Sequence, residues 1–238
     1  MFDIREMPVA VDAGLRHAAL AAEPATIGHF RLRGFPDPAI RPLVPVARIS
    51  GTAVTLALPG ADSTLLHHAA GLLREGDVLI IDRLGDRHHA CLGGGVALAL
   101  ARTGIAGVII DGPCADPAEL RECGLPIWGR GFSSITTRLL GIGGLMNVPV
   151  SLGGAVVQPG DLVIADEGGI VVLPVEEAAD AIARAAGMQQ REKLGLASVG
   201  RDRPLGMQTG ASAMIAAKLE AAKLQAEAPK HPTATASS

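Results

Sequence analysis

Read by its apolar and polar positions, the chain breaks into short buried strands and a few helices. Residues 46–49 and 52–58 carry β-branched side chains on either side of Ser50-Gly51 and predict two strands. Pro59-Gly60 marks a turn, and the spacing of Leu65, Leu66, Ala69, Ala70 and Leu73 predicts a helix over 63–73. Gly76-Asp77 then punctuates before a continuous apolar strand at 78–81. After a polar loop at 83–89 and the run Gly93-Gly94-Gly95, the pattern predicts a helix over 96–102 and a buried strand over 108–110. A short helix at 116–123 and a short strand at 126–128 follow.

Residues 129–146 are Gly-rich and read as irregular. Residues 148–157 and 162–172 read as strands separated by the turn Gln158-Pro159-Gly160-Asp161, and 176–193 as an amphipathic helix. Upstream, residues 1–30 mix charges with alanine and predict one or two peripheral helices, and Pro36, Pro38, Pro42 and Pro45 delay the first strand. Alternation of strands and helices implies a mainly parallel sheet, joined after residue 147 by an antiparallel β layer. The expected organisation is one α/β domain over 1–195, a linker and helix over 196–227 that could serve as an oligomer arm, and a disordered tail over 228–238.

Composition narrows the function. There is no Tyr, one Trp and four Phe, which argues against an aromatic platform for single-stranded nucleic acid. A net charge of −3 supplies no general attraction to nucleic acid or anionic membrane. Cys91, Cys114 and Cys123 form neither a paired disulfide framework nor a C-x-x-C zinc motif. No secretory signal or membrane-spanning run is read, so a cytoplasmic protein is the expectation.

Candidate chemistry concentrates between Gly93 and Asp116. Glycines before a helix let an anion approach unpaired N–H groups, so Gly93, Gly94, Gly95 and Val96 are candidates to bind a small carboxylate or phosphate. Asp111 and Asp116 follow the 108–110 strand, at the sheet edge where ligands usually sit. Asp116 suits a hard cation such as Mg²⁺; lying three residues before Glu119, it equally suits a helix N-cap. Cys91 and Cys114 read as small buried hydrophobes, and of His67 and His68 one is expected buried and one exposed, with no ligand role.

Several segments together resemble one family. They are Arg41-Pro42, Gly51-Thr-Ala-Val-Thr55, Asp62, Gly76-Asp77-Val-Leu-Ile-Ile-Asp82 and Gly104-Ile-Ala-Gly-Val-Ile-Ile-Asp-Gly112. Leu125-Pro126-Ile-Trp-Gly-Arg-Gly131, Pro149-Val150, Gly153-Gly154, Pro159-Gly160-Asp161 and Ala165-Asp-Glu-Gly-Gly-Ile-Val-Val-Leu-Pro174 complete the series. The set resembles the 4-hydroxy-4-methyl-2-oxoglutarate / 4-carboxy-4-hydroxy-2-oxoadipate aldolases and their relatives, the regulators of RNase E activity A. The resemblance implies a swivelling β/β/α-type sandwich, and a homotrimer or hexamer with sites at subunit contacts. It further implies a metal-dependent lyase, an aldolase or decarboxylase, that forms a pyruvate enolate from a small 2-oxo acid with Mg²⁺ or Mn²⁺. In that family an acid and, further along, an Arg-Asp pair carry the chemistry. Here Gly94 stands at the acid, Ala115 at the Arg, and Asp116 keeps the final position as metal anchor and catalytic residue. Arg130, in a Gly-flanked loop, is the candidate to replace the missing Arg, and His88 and His89 are candidate acid/base groups. The alternative is a non-catalytic relative that binds and regulates a protein partner.

Overall fold

The structure, a computed structural model, describes residues 1–197, 199–200 and 202–227. The tail expected at 228–238 lies outside the described residues. In chain order the elements are β1 (Phe2–Ile4), α1 (Ala13–Ala19), α2 (Pro24–Gly28), β2 (Arg41–Pro42), β3 (Ile49–Ala57), α3 (Thr64–Ala69) and β4 (Asp77–Asp82). Next come α4 (Gly94–Ala101), β5 (Gly107–Ile110), α5 (Pro117–Cys123), β6 (Ile127–Gly129), β7 (Gly144–Met146), β8 (Val150–Leu152) and β9 (Ala155–Val157). The series ends with β10 (Leu162–Asp166), β11 (Gly169–Leu173), α6 (Val175–Leu196), α7 (Leu205–Gln208) and α8 (Ala211–Glu227).

The large sheet has the order β1-β7-β3-β4-β5-β6-β2, with β10 pairing on both β3 and β11. Its centre, β3 through β6, is parallel, whereas β10 runs antiparallel to β3 and to β11. This is the mixed α/β architecture expected from the sequence. The antiparallel addition continues in the separate hairpin β8-β9.

Alternate side chains sort into three cores because successive residues of a strand face opposite sides. Leu79 and Ile81 of β4, Val108 and Ile110 of β5, and Ile127 of β6 pack with Leu65, Leu66, Ala97, Leu100 and Leu120 of the helices α3, α4 and α5. The intervening Val78, Ile80, Ile109 and Trp128 face a second core shared with Val150, Val157, Val163 and Val172. On the far side of β10-β11, Leu162, Ile164, Val171 and Leu173 meet Ala19, Ile27, Ala178 and Ile182 of α1, α2 and α6. Burial on both faces is why the central strands read as unbroken apolar runs.

Three expectations need correction. In place of the two strands expected at 46–49 and 52–58 there is one, β3, which starts only at Ile49 and continues because Ser50, Gly51 and Thr52 pair without interruption against β10. Residues 148–157 fold back at Gly153-Gly154, both at positive φ, and 162–172 reverse after Asp166, so each expected strand is a hairpin. The N-terminal segment adds an edge strand, β1, parallel to β7.

The described residues form two compact units, Met1–Gly187 and a second that begins at Met188. The second contains α7 and α8, where Met214, Ile215, Leu219 and Leu224 are exposed. No described helix is long and apolar enough to cross a membrane.

Candidate active site

Two helix starts meet at the C-terminal end of the parallel strands. α4 opens at Gly94, and the first N–H groups of any helix lack an acceptor within it. The loop that leaves β5 runs through Cys114 and Ala115 to Asp116 and enters α5. Asp116 occupies the N-cap position of α5 in the left-handed region, φ 53° and ψ 56°, yet its side chain caps nothing in its own helix. Its Oδ2 instead accepts the Gly94 N–H of α4 at 3.0 Å. The aspartate therefore caps its neighbour, an arrangement that neither sequence alternative, cation anchor or cap of the following helix, includes.

The glycine pair permits this approach. A Cβ on Gly93 would fall on Asp116 Oδ2, and one on Gly94 would lie 2.5 Å from the Cβ of Glu119. Glu119 thus lies over the turn where the family acid would begin. Both Asp116 and Glu119 are exposed. Beyond Gly94, the Gly95 and Val96 N–H groups have no acceptor among the described residues. Together they present an anion-binding start of an eight-residue helix, with positive dipole potential.

The loop bearing Asp116 is pinned on both sides. Ala115 N–H donates to Leu92 O, Cys114 N–H to Gly131 O, and Ser133 N–H to Cys114 O, each at 2.9 Å. Between this loop and the 131–136 segment lies a cavity of about 390 Å³, walled by Ala115, Asp116, Phe132, Ser133, Ser134 and Thr136 among others. Asp116 belongs both to the cavity wall and to the glycine turn. A second cleft, of about 430 Å³, is walled by Phe35, Pro36, Pro38 and Ile170 and includes no residue of the Gly93–Asp116 segment.

The other candidates go elsewhere. Arg130, expected to face this cleft, is held through Nε by Asp111 and through Nη1 by Asp37 at 2.7 Å, and it does not line the cavity. The two form an ion pair that offsets the cost of holding the Asp111 carboxylate largely out of water; Arg87 (2.7 Å) and the Gly153 N–H (2.8 Å) complete its partners. Arg83 is fully buried among the Leu58, Gly60 and His89 carbonyls, with Asp86 at 3.4 Å. His89 Nδ1 lies 2.7 Å from Asp86 Oδ2, and His88 is exposed; neither imidazole lines the cavity. Burial pushes the Asp86 carboxyl up, but the His88 and His89 N–H groups and the His89 ring outweigh it and bring the pKa down to about 2. His67 and His68 are both exposed, so the expected division between them is corrected. Cys91 and Cys114 are buried, and burial pushes the Cys91 thiol up to about 11 and Cys114 well above its usual value, so neither is a nucleophile at neutral pH.

The site therefore joins Gly93, Gly94, Gly95, Val96 and Asp116, and it adds Glu119, Ser134 and Thr136, which the sequence did not single out. Among the described residues no three His, Cys, Asp or Glu side chains gather as a ready metal cage. That donor set does not suit zinc. It does fit a hard cation that keeps most of its water and takes one or two carboxylates, because Asp116 Oδ1 has no protein hydrogen bond among the described residues.

Comparisons with known proteins bear on the family of the chain. A protein of Halalkalibacterium halodurans, provisionally named 4-hydroxy-4-methyl-2-oxoglutarate aldolase, is 35% identical over 136 residues, covering 57% of this chain. The match spans 64% of that relative, a little under two thirds of its length. A Deinococcus radiodurans protein under the same provisional name is 36% identical over 140 residues, 58% of this chain and 86% of its own. Among solved structures, RraAS2 of Streptomyces coelicolor, described as an unusual member of the RNase ES inhibitor RraA family, superposes with a TM-score of 0.71. It shares 28% identity, with 79% of this chain and 99% of that one covered. Residues 11–172 match the model of the RraA-like family, Aldolase/RraA, and on that match the chain belongs to this family.

Proposed function

We propose that this protein is a divalent-cation-dependent lyase that cleaves a small 4-hydroxy-2-oxo acid to pyruvate and a carbonyl product. The observation that carries the reading is the Asp116 carboxylate on the Gly94 N–H, beside two unpaired amides and a cavity at the C-terminal edge of the parallel sheet. The Gly95 and Val96 N–H groups would hold the substrate carboxylate, with the helix dipole adding to the attraction. Asp116, with Mg²⁺ or Mn²⁺ as the expected metal, would hold the ion through Oδ1 or through its waters. When bound, such an ion supplies Lewis-acid stabilisation of an enolate oxygen.

Of the titratable groups at the turn, Glu119 is the one left to move a proton. Its side chain lies beside Gly94, and it would accept the proton of the 4-hydroxyl as the bond between C3 and C4 breaks and return that proton to C3 to give pyruvate. Arg130 acts as a positioning residue in this reading, since its guanidinium is committed to Asp37 and Asp111. His88 and His89 have no assigned step. Assembly as a trimer or hexamer in the cytoplasm belongs to the same proposal.

The test is pyruvate release from 4-hydroxy-2-oxo acids and from oxaloacetate, whose decarboxylation shares the enolate. Mg²⁺-dependent release is expected, and EDTA or Asp116→Ala should each reduce it on the order of 10²-fold or more. Activity indifferent to both treatments sinks the reading. One observation favours the partner-binding alternative: Phe132, Ile135, Leu139, Leu140 and Ile142 are all exposed within one short segment. A protein inert in the pyruvate assay that slows RNA cleavage by an RNase E-type nuclease would favour that second reading.

A further inference from the structure

A cleft that shares no residue with the glycine turn lies where the 8–12 segment, the 158–161 turn and the start of α6 come together. Its volume is about 630 Å³, within the range of small-molecule sites. Each wall is held by the scaffold. Arg74 Nη1 donates to Pro8 O and the Val11 N–H to the buried Thr52 hydroxyl, both at 2.9 Å, which fixes the 8–12 segment. The turn is tied to β3: Ala53 N–H donates to Asp161 O and Gly160 N–H to Ala53 O, each at 2.9 Å. Helix α6 is anchored through Ala178 and Ile182 in the core. A ligand therefore meets a formed site and does not have to order one.

The charged residues of this lining, Asp12, Asp161 and Glu176, are all acids. Asp12 and Glu176 are exposed, whereas Asp161 is only 8% exposed. Asp161 Oδ2 accepts the Gln158 N–H at 2.8 Å, and its Oδ1 has no hydrogen bond among the described residues. Burial raises the Asp161 pKa and the Glu176 charge adds to the rise; the Gln158 N–H and the Arg31 charge offset only part of it. A carboxylate in this condition is short of a counter-charge. The neighbouring arginines do not supply one. Arg31 and Arg33 are paired with Glu177, and Arg74 with Asp77 at 3.1 Å. Arg16 donates through Nε to Val11 O at 3.2 Å and lays its Nη1 over Gly76. None of the four lines the cleft. The dipole of α6 places about half a positive charge near Glu176, against three carboxylates.

The lining also includes Pro8, Val9, Pro159, Pro174 and Val175, apolar side chains partly open to water. A bare metal ion would leave most of this space unused, and it needs ligands converging on one point. No three described His, Cys, Asp or Glu side chains converge in that way. A linear ammonium chain suits both parts of the lining, with charges at intervals for the carboxylates and methylenes for the apolar walls. We propose that this cleft binds an aliphatic di- or polyamine, with its ammonium groups on Asp12, Asp161 and Glu176 and its methylenes against the proline and valine walls. The bound amine joins the 8–12 segment to the start of α6 and so stabilises the folded first unit. The site is separate from the lyase reading, and neither depends on the other.

The experiment is calorimetric titration of the full-length chain with spermidine, putrescine and butylamine. Affinity is expected to rise in the order butylamine, putrescine, spermidine, by about tenfold or more across the series. Asp161→Asn keeps an oxygen for the Gln158 N–H and should weaken spermidine binding about tenfold, and the exposed Glu176→Gln about threefold. Glu122→Gln removes the same unit of charge from α5, outside the cleft, and should leave the affinity unchanged. Melting curves without amine show whether each variant is folded. Should Asp161→Asn not fold, Glu176→Gln against Glu122→Gln decides the matter. Equal affinity for all three amines, equal losses at Glu122 and Glu176, or no binding up to about 10 mM spermidine overturns the proposal. Equal losses would mean that the amines answer only to the net charge of the chain. The measurement involves no pyruvate, so its failure and the failure of the lyase reading are told apart.

Discussion

At the scale of single residues, the glycine turn and one buried carboxylate make unequal demands that can be measured. Gly93 and Gly95 are two residues apart, but a Cβ at Gly93 would collide with Asp116 Oδ2 whereas one at Gly95 meets nothing within 4 Å. Gly93→Ala is expected to cost about 1–3 kcal/mol of stability and to displace Asp116, abolishing its cap on α4. Gly95→Ala, in the first turn of the same helix, should be neutral or stabilising by up to about 1 kcal/mol. Urea denaturation of both variants checks the pair, and equal effects would show that the turn does not hold Asp116 closely. Asp62 is the second case. It is fully buried, and it accepts Thr64 N–H (2.9 Å), Thr64 Oγ1 (2.6 Å), Leu140 N–H (3.1 Å) and Ile142 N–H (2.7 Å). Burial raises its pKa, but these donors outweigh burial and hold the carboxyl well below the usual range. Asp86 is depressed to about 2 in the same way. A depressed folded-state pKa contributes stability that is present above the unfolded value, about 4, and is lost as pH falls through the folded value. The melting temperature is therefore expected to fall steeply between about pH 4 and pH 2, and Asp62→Asn should flatten that fall while lowering the melting temperature at pH 7.

At the scale of elements, the loops beyond the strands are tied by one ionic cluster, and its contribution is expected to be non-additive. Arg130 follows β6, Asp111 follows β5, and Asp37 and Gly153 come from two further loops. Arg130→Met leaves the largely buried Asp111 with Arg87 as its remaining cation beside the Gly153 N–H and should cost on the order of 3 kcal/mol. Asp111→Asn should cost a similar amount, and the double variant less than the two together by at least about 1 kcal/mol, as a denaturant-based cycle can read. Additive losses would mean that the two side chains do not share one network. This cluster also shows where sequence reasoning stops. The central strands were legible because Val78 to Ile81 and Val108 to Ile110 are apolar on both faces. Helix α4 was legible from its glycines and apolar run, and Asp116 from its place after β5. Arg130 was expected in the cleft because its glycine neighbours say that the loop is tight, but not which carboxylate it will meet. Glu119 was visible only as a possible cap partner, since its nearness to Gly94 depends on how closely α4 and α5 approach. The hairpins in 148–157 and 162–172 were hidden because apolar runs on both sides of Gly153-Gly154 and Glu167-Gly168 look alike whether the chain continues or turns back.

At the scale of the whole molecule, the last question is what the residues beyond Met188 contribute to the first unit. The buried side chains of α6, Ala178, Ala181, Ile182 and Ala185, all precede Gly187 and belong to the core against β10 and β11. Past that point burial ends: Leu194, Leu196, Leu205 and Met207 are exposed, as are Met214, Ile215, Leu219 and Leu224 of α8. Apolar burial supplies about 25 cal/mol per Å² removed from water, so side chains left in solvent add little to folding. A helix of 17 residues without tertiary burial is itself marginal in water. A chain ending at Leu196 is therefore expected to melt within about 2 °C of the full-length protein at equal concentration. In the lyase reading it should also retain its rate of pyruvate release, because every residue of the proposed site precedes Gly187. Far-UV circular dichroism melts and the pyruvate assay on the two chains measure this directly. If the midpoint becomes dependent on protein concentration only in the full-length chain, then α8 is covered by another copy in solution. The second unit would in that case be the oligomer arm that its sequence suggested.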